Sequence, residues 1–223
     1  MANSYATSTQ LVTVLTGTER VVIDNGGSVI AETTTQAIVN LVSQNGLPFG
    51  NGGAVAGVEG NINRQISSAG VSPAATGADK VIAVYSLPAN SLVANGQGLN
   101  IIAQGSFAAN GNTKDVKIIF GCTTAVVGST VTGGTTIADT AAVTTNGGGW
   151  AIEANVFKYG AANSNTQIGL HQQVQVGGAV AALLAPGLTT ATENAPILIA
   201  ITGNATTSAA DIVLNFLEIN AMN

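Results

Sequence analysis

The sequence predicts a mainly β protein whose body is a β-sandwich or a barrel. Short segments with strand patterning recur from residue 80 onward, turn dipeptides such as Asn95-Gly96 and Asn110-Gly111 separate them, and no long helical pattern lies between them. The expected strands cover residues 81–87, 99–107, 115–121, 150–159, 166–176, 196–203 and 211–219. Residues 179–186, AVAALLAP, fit either a helical turn or a further strand.

Residues 1–42 are expected to form a separate hairpin-helix module. VVID and SVIAE are short β-type runs joined by Asn25-Gly26-Gly27, and Asn-Gly is a strong hairpin signal because both turn residues adopt positive φ readily. Thr33 and Gln36 have capping-box spacing, and apolar residues follow at helical intervals. A hairpin of this size is marginal in water, so it must pack on the rest of the chain or on another protein.

Residues 43–79 are rich in Gly, Asn and Ser, which divides the chain into 1–42, 43–79 and a body at 80–223. Their composition favours a linker or a surface-hugging arm. The alternative is an extended arm that becomes ordered only against a partner.

The composition excludes several functional classes. Charged residues make up 8% of the chain, against about 25% in an ordinary soluble domain. The net charge is −5 and the six basic residues are scattered, so no patch suits nucleic acid. No apolar run reaches the ~18 residues of a membrane span, and MANSYATSTQ does not resemble a secretory signal. The single cysteine, Cys122, is expected to be a small buried hydrophobe.

The last expected strand, DIVLNFLEI, carries apolar side chains on both faces if its residues alternate strictly. One face would hold Ile212, Leu214 and Phe216, and the other Val213, Leu217 and Ile219. Leaving three such side chains exposed would forfeit about 1.5–3 kcal/mol each. Both faces are therefore expected to be covered, the second by another sheet or a neighbouring subunit. Val213, Leu217 and Ile219 are the candidate oligomer interface.

The strand GLHQQVQV extends that candidate interface. Alternation places His171 with Gln173 and Gln175 on a polar face, which predicts a surface or interface histidine and not a catalytic one. Side-chain amides both donate and accept hydrogen bonds, so the two glutamines suit contacts between subunits.

No catalytic, cofactor or metal site is predicted, and the chain is expected not to be an enzyme. The carboxylates are isolated in the sequence, and no calcium loop or histidine cluster is present. Glu153 is the best single candidate for catalysis because it lies on a strand opposite the face of Trp150 and Ile152. The other isolated carboxylates are Asp79, Asp115, Asp139, Glu193, Asp211 and Glu218.

Two stretches resemble structural proteins of tailed bacteriophages. TGTERVVIDNGGSVIAETTTQAIVNLV, residues 16–42, resembles a small N-terminal module that precedes variable domains in such proteins. SLPANSLVANGQGLNIIAQGSFAANGNTKDVKIIFG (86–121), followed by NGGGWAIEANVFKYG (146–160), resembles the jelly-roll domain of phage head-decoration and fibre proteins. The resemblance covers most of the chain except residues 43–79 and about the last forty.

The resemblance implies a homotrimer, located in the virion and assembled in the host cytoplasm, with a jelly-roll body. Its N-terminal module would dock on the major capsid protein or on tail or portal-proximal proteins. The implied anchor residues are Glu19, Val21, Ile23, Ile38 and Leu41. Two roles stay open: a capsid decoration or cement protein, and a tail or head fibre whose exposed Tyr159 and polar loops would contact host glycans. The short chain, without repeats or heptads, favours decoration.

Overall fold

The structure is a computed structural model of the chain, and it describes residues 20–24, 29–34, 60–74, 77–144, 146–176, 179–180 and 184–222. The chain divides into two units, Met1–Leu47 and Pro48–Asn223. The described residues contain thirteen β-strands and one short 3-10 helix, Ala209–Asp211. None of the described helical residues forms a helix long and apolar enough to cross a membrane.

The first unit contains an antiparallel hairpin. Strand β1 (Arg20–Asp24) pairs with β2 (Val29–Thr34). This pairing confirms the hairpin predicted around the Asn-Gly turn. The turn itself and residues 35–42 lie outside the described residues, but Thr33, the predicted N-cap of the helix, lies within β2, so the capping-box prediction at Thr33 is wrong.

A large antiparallel sheet forms one layer of the second unit. Its strands run in the spatial order β10-β9-β8-β5-β13-β3, and β11 also pairs with β9. The strands are β3 (Gly60–Val71), β5 (Gly98–Phe107), β8 (Gly148–Lys158), β9 (Gln167–Val176), β10 (Ala179–Val180), β11 (Gly187–Thr189) and β13 (Ile212–Met222).

A smaller antiparallel sheet has the order β4-β12-β6-β7. Its strands are β4 (Lys80–Leu87), β6 (Lys114–Cys122), β7 (Thr135–Asp139) and β12 (Ile197–Ala205). The prediction of a mainly β protein is confirmed, and each of the seven expected strands is present. The undecided segment 179–186 begins with the two-residue strand β10.

Both sheets contribute side chains to one hydrophobic core, which is the packing that a β-sandwich requires. Strand β8 shows the cause most clearly, because its side chains alternate between buried and partly buried from Trp150 to Lys158. The fully buried aliphatic side chains of this core include Leu99, Ile101 and Ile152 from the large sheet and Ile118, Ile199 and Ile201 from the small sheet.

A second, smaller cluster lies on the other face of the small sheet. It consists of Val81, Ile119, Cys122, Ala125 and Ala200. Ala125 belongs to the connection between β6 and β7, which therefore packs against this face. Cys122 is buried, as predicted, and burial raises the pKa of its thiol to about 11, so the thiol stays protonated at neutral pH.

Strand β3 changes the interpretation of residues 43–79. Residues 60–71 were expected to belong to a linker or arm, but they form a twelve-residue strand that pairs with β13 at the edge of the large sheet. The linker interpretation is therefore wrong for these residues. Backbone pairing with a strand distant in sequence stabilises them despite their glycine-rich and polar composition.

A β-bulge near Asn215 also overturns strict alternation in β13. The register with both neighbouring strands shifts between Leu214 and Phe216, and an extra residue moves the following side chains to the opposite face. Gly105 permits the close approach here, because a Cβ at this position would collide with the carbonyl oxygen of Val213 and lie 2.7 Å from the Trp150 ring.

Candidate interaction face

The bulge moves two candidate interface residues into the core. Leu217 and Ile219 are 1% and 0% exposed, and they share the core with Ile212 and Leu214. They were expected on the face opposite Ile212 and Leu214, and this expectation is wrong because strict alternation ignores the extra residue. Val213 is half-buried and remains on the side of the strand away from the core.

The face of the large sheet turned away from the core can be read from its register. We call it the outer face. Its central members are Phe216, Glu218, Asn220 and Met222 on β13, Asn100, Ile102 and Gln104 on β5, and Glu153, Asn155 and Phe157 on β8. Except for the exposed Gln104, these side chains are half-buried. Arg64 and Ile66 extend the face onto β3, because they pair with Glu218 and Phe216.

Amide side chains form a hydrogen-bonded group at the centre of the outer face. The Asn100 Nδ2 donates to Glu153 Oε1 at 2.6 Å and to Asn155 Oδ1 at 2.8 Å. Asn220 is the register partner of Asn100 on the other side. Glu153, the best sequence candidate for catalysis, therefore accepts a hydrogen bond within this group.

Apolar side chains flank the amide group. Met222, Phe157 and Ile168 follow one another across β13, β8 and β9 with Gly98 of β5 between the first two. Leu188 of β11 continues this row and is 67% exposed. On the other side of the amides lie Ile102 and Phe216, and Ile66 beside Phe216 is 73% exposed. The outer face thus carries one apolar row, one amide row and a row in which Ile102 lies among Arg64, Glu218 and Glu153.

The two interface glutamines lie on β9 next to this face. Gln173 pairs with Glu153, and Gln175 pairs with Ala151, so both backbone positions continue outer rows. Their side chains are outside the described set, and their role between subunits stays a prediction.

His171 differs from its prediction. A register shift between Glu153 and Ala154 inserts one residue into β9, so His171 pairs with Ala154, a residue of the core face. Its side chain is buried, which makes the prediction of a surface or interface histidine wrong. Nδ1 accepts the backbone N–H of Leu184 at 2.7 Å. Burial lowers the pKa of His171, so the imidazole is neutral at pH 7.

A buried ion pair joins two residues that are distant in sequence. Lys158 Nζ lies 2.8 Å from Glu193 Oε1, and both side chains are fully buried. Lys158 also donates to the hydroxyls of Ser164 and Thr166, while Gln167 donates to Glu193 at 2.6 Å. Burial would raise the pKa of Glu193, but the hydrogen bonds and the charge of Lys158 lower it below its usual value. Glu193 is therefore ionised at neutral pH and serves as a structural partner.

Asp211 is buried in a second polar cluster. Asn110 and Asn112 each donate a side-chain N–H to one of its carboxylate oxygens at 2.7 Å. The fully buried Lys114 donates to the backbone carbonyls of the same two asparagines. Burial would raise the pKa of Asp211, but the asparagine hydrogen bonds and the charge of Lys114 lower it. The cluster fixes the loop before β6 to the start of β13.

A third polar cluster surrounds Lys117 on β6. Its Nζ lies 3.0 Å from Asp79 and 3.1 Å from Asp115. Burial, together with a hydrogen bond to Asp139 and the charge of Asp139, raises the pKa of Asp115, while Lys117 opposes this shift. Sequence reasoning treated all these carboxylates as isolated, because only the strand pairing brings them together.

Replacing Asp115 by Asn is expected to stabilise the protein at pH 7. The raised folded-state pKa means that ionised Asp115 lowers stability once the pH exceeds that pKa. We expect thermal unfolding at pH 7 to shift upward by roughly 2–4 °C, the effect of about 1 kcal/mol in a domain of this size. The gain should disappear in acid, below the unfolded-state pKa. Asp79→Asn, which removes only a partner of Lys117, is the control, and equal stabilisation by both variants would contradict this account.

The structure does not test the predicted roles of the anchor residues and of Tyr159. Val21 and Ile23 lie on β1, but their side chains and all of Glu19, Ile38 and Leu41 are outside what the structure describes. Tyr159 is 39% exposed just after β8, where its N–H donates to the Thr166 carbonyl. Among the described residues, no group of three or more His, Cys, Asp or Glu side chains is arranged to hold a metal ion.

Comparison with known proteins adds no relative. No protein-family model matches the sequence. A search of curated proteins likewise found no significant match.

Proposed function

We propose that this chain is a non-enzymatic structural protein of a tailed-bacteriophage virion. In this proposal it is a homotrimeric capsid decoration or cement protein with a jelly-roll body. Its N-terminal module docks on the particle, and its partner there is the major capsid protein or a tail or portal-proximal protein.

The strand pairing of the body carries the proposal. Eight strands, β3 to β8 with β12 and β13, pair from the outside inward. β3 pairs with β13, β4 with β12, β5 with β8, and β6 with β7. Strands β9 to β11 are an insertion between the sixth and seventh members. This nested antiparallel pairing supports a jelly roll, an architecture that viral capsid proteins use.

The composition and the buried polar groups favour a structural role over catalysis. Because jelly rolls also occur in lectins and cupins, the fold alone does not specify a function. In the described residues, the buried carboxylates of Glu193 and Asp211 are held by Lys158 and by side-chain amides of the chain itself. Both carboxylates are kept ionised by partners from the chain itself, and these contacts stabilise loops.

The division of the chain supports a separate docking module. The first unit ends at Leu47, close to the boundary at residue 42 predicted from the sequence. A small hairpin unit that is separate from the body suits an anchor that gains stability from the surface on which it docks.

A fibre protein that binds host-surface glycans is the second candidate, and one observation favours it. Tyr159 is partly exposed beside a loop of small and polar residues, 160–166. Aromatic rings with nearby amides provide the mixed apolar and polar contacts that small-molecule sites use.

Deletion of residues 1–42 tests the docking role. The shortened chain should keep its folded body and its oligomeric mass but should no longer pellet with phage particles in sedimentation. The full-length chain is the positive control. Pelleting of the shortened chain at the level of the full-length chain would contradict docking through the N-terminal module.

A further inference from the structure

We propose that copies of this chain associate through the outer face of the large sheet, with a second copy of the chain as the occupant. The inference goes beyond the homotrimer of the proposed function, because a face that pairs with the same face of a second copy forms a two-fold contact. It assigns the contact to the outer rows of β3, β13, β5, β8 and β9, and not to Leu217 and Ile219.

The area of the outer face matches a stable interface. Five strands spaced by about 4.8 Å and five rows of alternate residues make a surface of roughly 24 Å by 30 Å. The flat area is therefore about 700 Å², without the additional surface of the protruding side chains. Stable protein interfaces bury about 800 Å² on each partner. One copy of the face therefore supplies most of the area that such an association needs.

The residue types on the face are those that protein interfaces favour. Phe157, Phe216 and Met222 are half-buried there, and Arg64 lies at its edge on β3. Aromatic residues, Met and Arg are enriched in interfaces, and Lys is depleted. The outer positions of the described strands β3, β13, β5 and β8 include no lysine. Ile66 and Leu188, at opposite corners, are the most exposed large apolar residues of the described chain.

The chemistry of the face is self-complementary, which favours a second copy over another protein. Asn100, Asn155 and Asn220 lie side by side across three strands, and each amide both donates and accepts hydrogen bonds. Asn100 donates both of its side-chain N–H groups within the face, so a copy of the row would pair through the side-chain oxygen of Asn100 as acceptor and the side-chain N–H of Asn155 as donor. The charged residues of the face are Arg64, Glu218 and Glu153, of which Arg64 is paired with Glu218 at 2.5 Å and Glu153 accepts a hydrogen bond from Asn100. Together they give the face one net negative charge, against −5 for the whole chain.

The corresponding face of the small sheet is already partly occupied. The connection between β6 and β7 packs there through Ala125, and its Ser129 carbonyl accepts the N–H of Val81. In the large sheet, the strands of the small sheet lie on the core side, and Ile66 and Leu188 remain exposed.

Sedimentation velocity of the full chain at micromolar concentration tests the inference. Ile102→Lys places a charge at the centre of the face. Gln104→Lys places a charge two residues further along β5, at a position that is already exposed to solvent. Val127→Lys, at a 53% exposed position in the β6–β7 connection, is the matched control. Emission from Trp150, the single buried tryptophan, reports whether each variant is folded.

We expect the wild type and Val127→Lys to sediment as the same oligomer. Folded Ile102→Lys and Gln104→Lys should shift toward the 22.0-kDa monomer, with a dissociation constant raised by about tenfold or more. A folded Gln104→Lys with wild-type mass and dissociation constant would overturn the inference. A monomeric wild type would overturn the inference as well. If that monomer still pelleted with phage particles, the proposed virion role would stand even though self-association did not.

Discussion

Leu217→Asp is expected to unfold the body of the protein. Leu217 is 1% exposed in the core shared by both sheets. The substitution forfeits about 1.5–3 kcal/mol of apolar burial, and an unpaired carboxylate in an apolar core adds several kcal/mol more. Since a typical domain is stable by about 5–15 kcal/mol, most molecules should be unfolded or misfolded. The measurement is Trp150 fluorescence, because this buried ring becomes hydrated on unfolding.

Phe216→Asp is the matched control for this prediction. It changes the neighbouring residue, whose half-buried side chain lies on the outer face. This variant should keep the buried Trp150 emission while losing self-association. If Leu217→Asp instead remained folded and only dissociated, Leu217 would face a partner, as strict alternation predicted, and the bulge assignment would be wrong.

Glu193→Ala is expected to have the second-largest effect. It leaves the ammonium of Lys158 buried without its carboxylate partner, although Ser164 and Thr166 still accept hydrogen bonds from it. Removing one partner of a buried ion pair destabilises proteins by about 3–5 kcal/mol. Urea unfolding at pH 7 measures this loss as a lower midpoint with an unchanged slope.

The double variant Lys158→Met with Glu193→Leu distinguishes an ion-pair effect from lost packing. Replacing both charges by apolar groups of similar size is often neutral, because the desolvation penalty disappears together with the attraction. We expect the double variant to recover most of the stability lost by Glu193→Ala. A double variant no more stable than the single one would mean that the surrounding hydrogen bonds, and not the buried charge, dominate the effect.

Local patterning was sufficient to predict most of the strands. The segments near 99–107 and 150–159 alternate apolar and other residues between turn signals, and both form strands within two residues of the predicted bounds. Strand β3 was missed because its twelve residues, GNINRQISSAGV, lack that alternation. Its stability comes from pairing with β13, a partner about 150 residues away, which local pattern cannot indicate.

The bulges explain why the sequence did not predict correctly which face of the sheet some side chains lie on. Strict alternation places Leu217 and His171 correctly only if no residue is inserted into their strands, and both strands contain a register shift. One shift moved Leu217 from a supposed interface into the core, and the other buried His171. A bulge depends on the fit between neighbouring strands, so it leaves little trace in one segment.

Tertiary pairing explains the carboxylates that looked isolated. Glu193 follows Lys158 by 35 residues, with β9, β10 and β11 between them, yet their charged atoms lie 2.8 Å apart. Asp211 and its asparagines are likewise about 100 residues apart. The sequence indicated few charges, and the fold shows that several of them are used internally.

Quantitative mass spectrometry of purified phage particles tests the central claim most directly. The measured quantity is the number of copies of this chain per major capsid subunit. The proposed decoration role predicts a ratio close to that of the capsid subunit itself. A chain absent from the particles would contradict a virion role, and a count of only a few trimers per particle would replace decoration with a fibre.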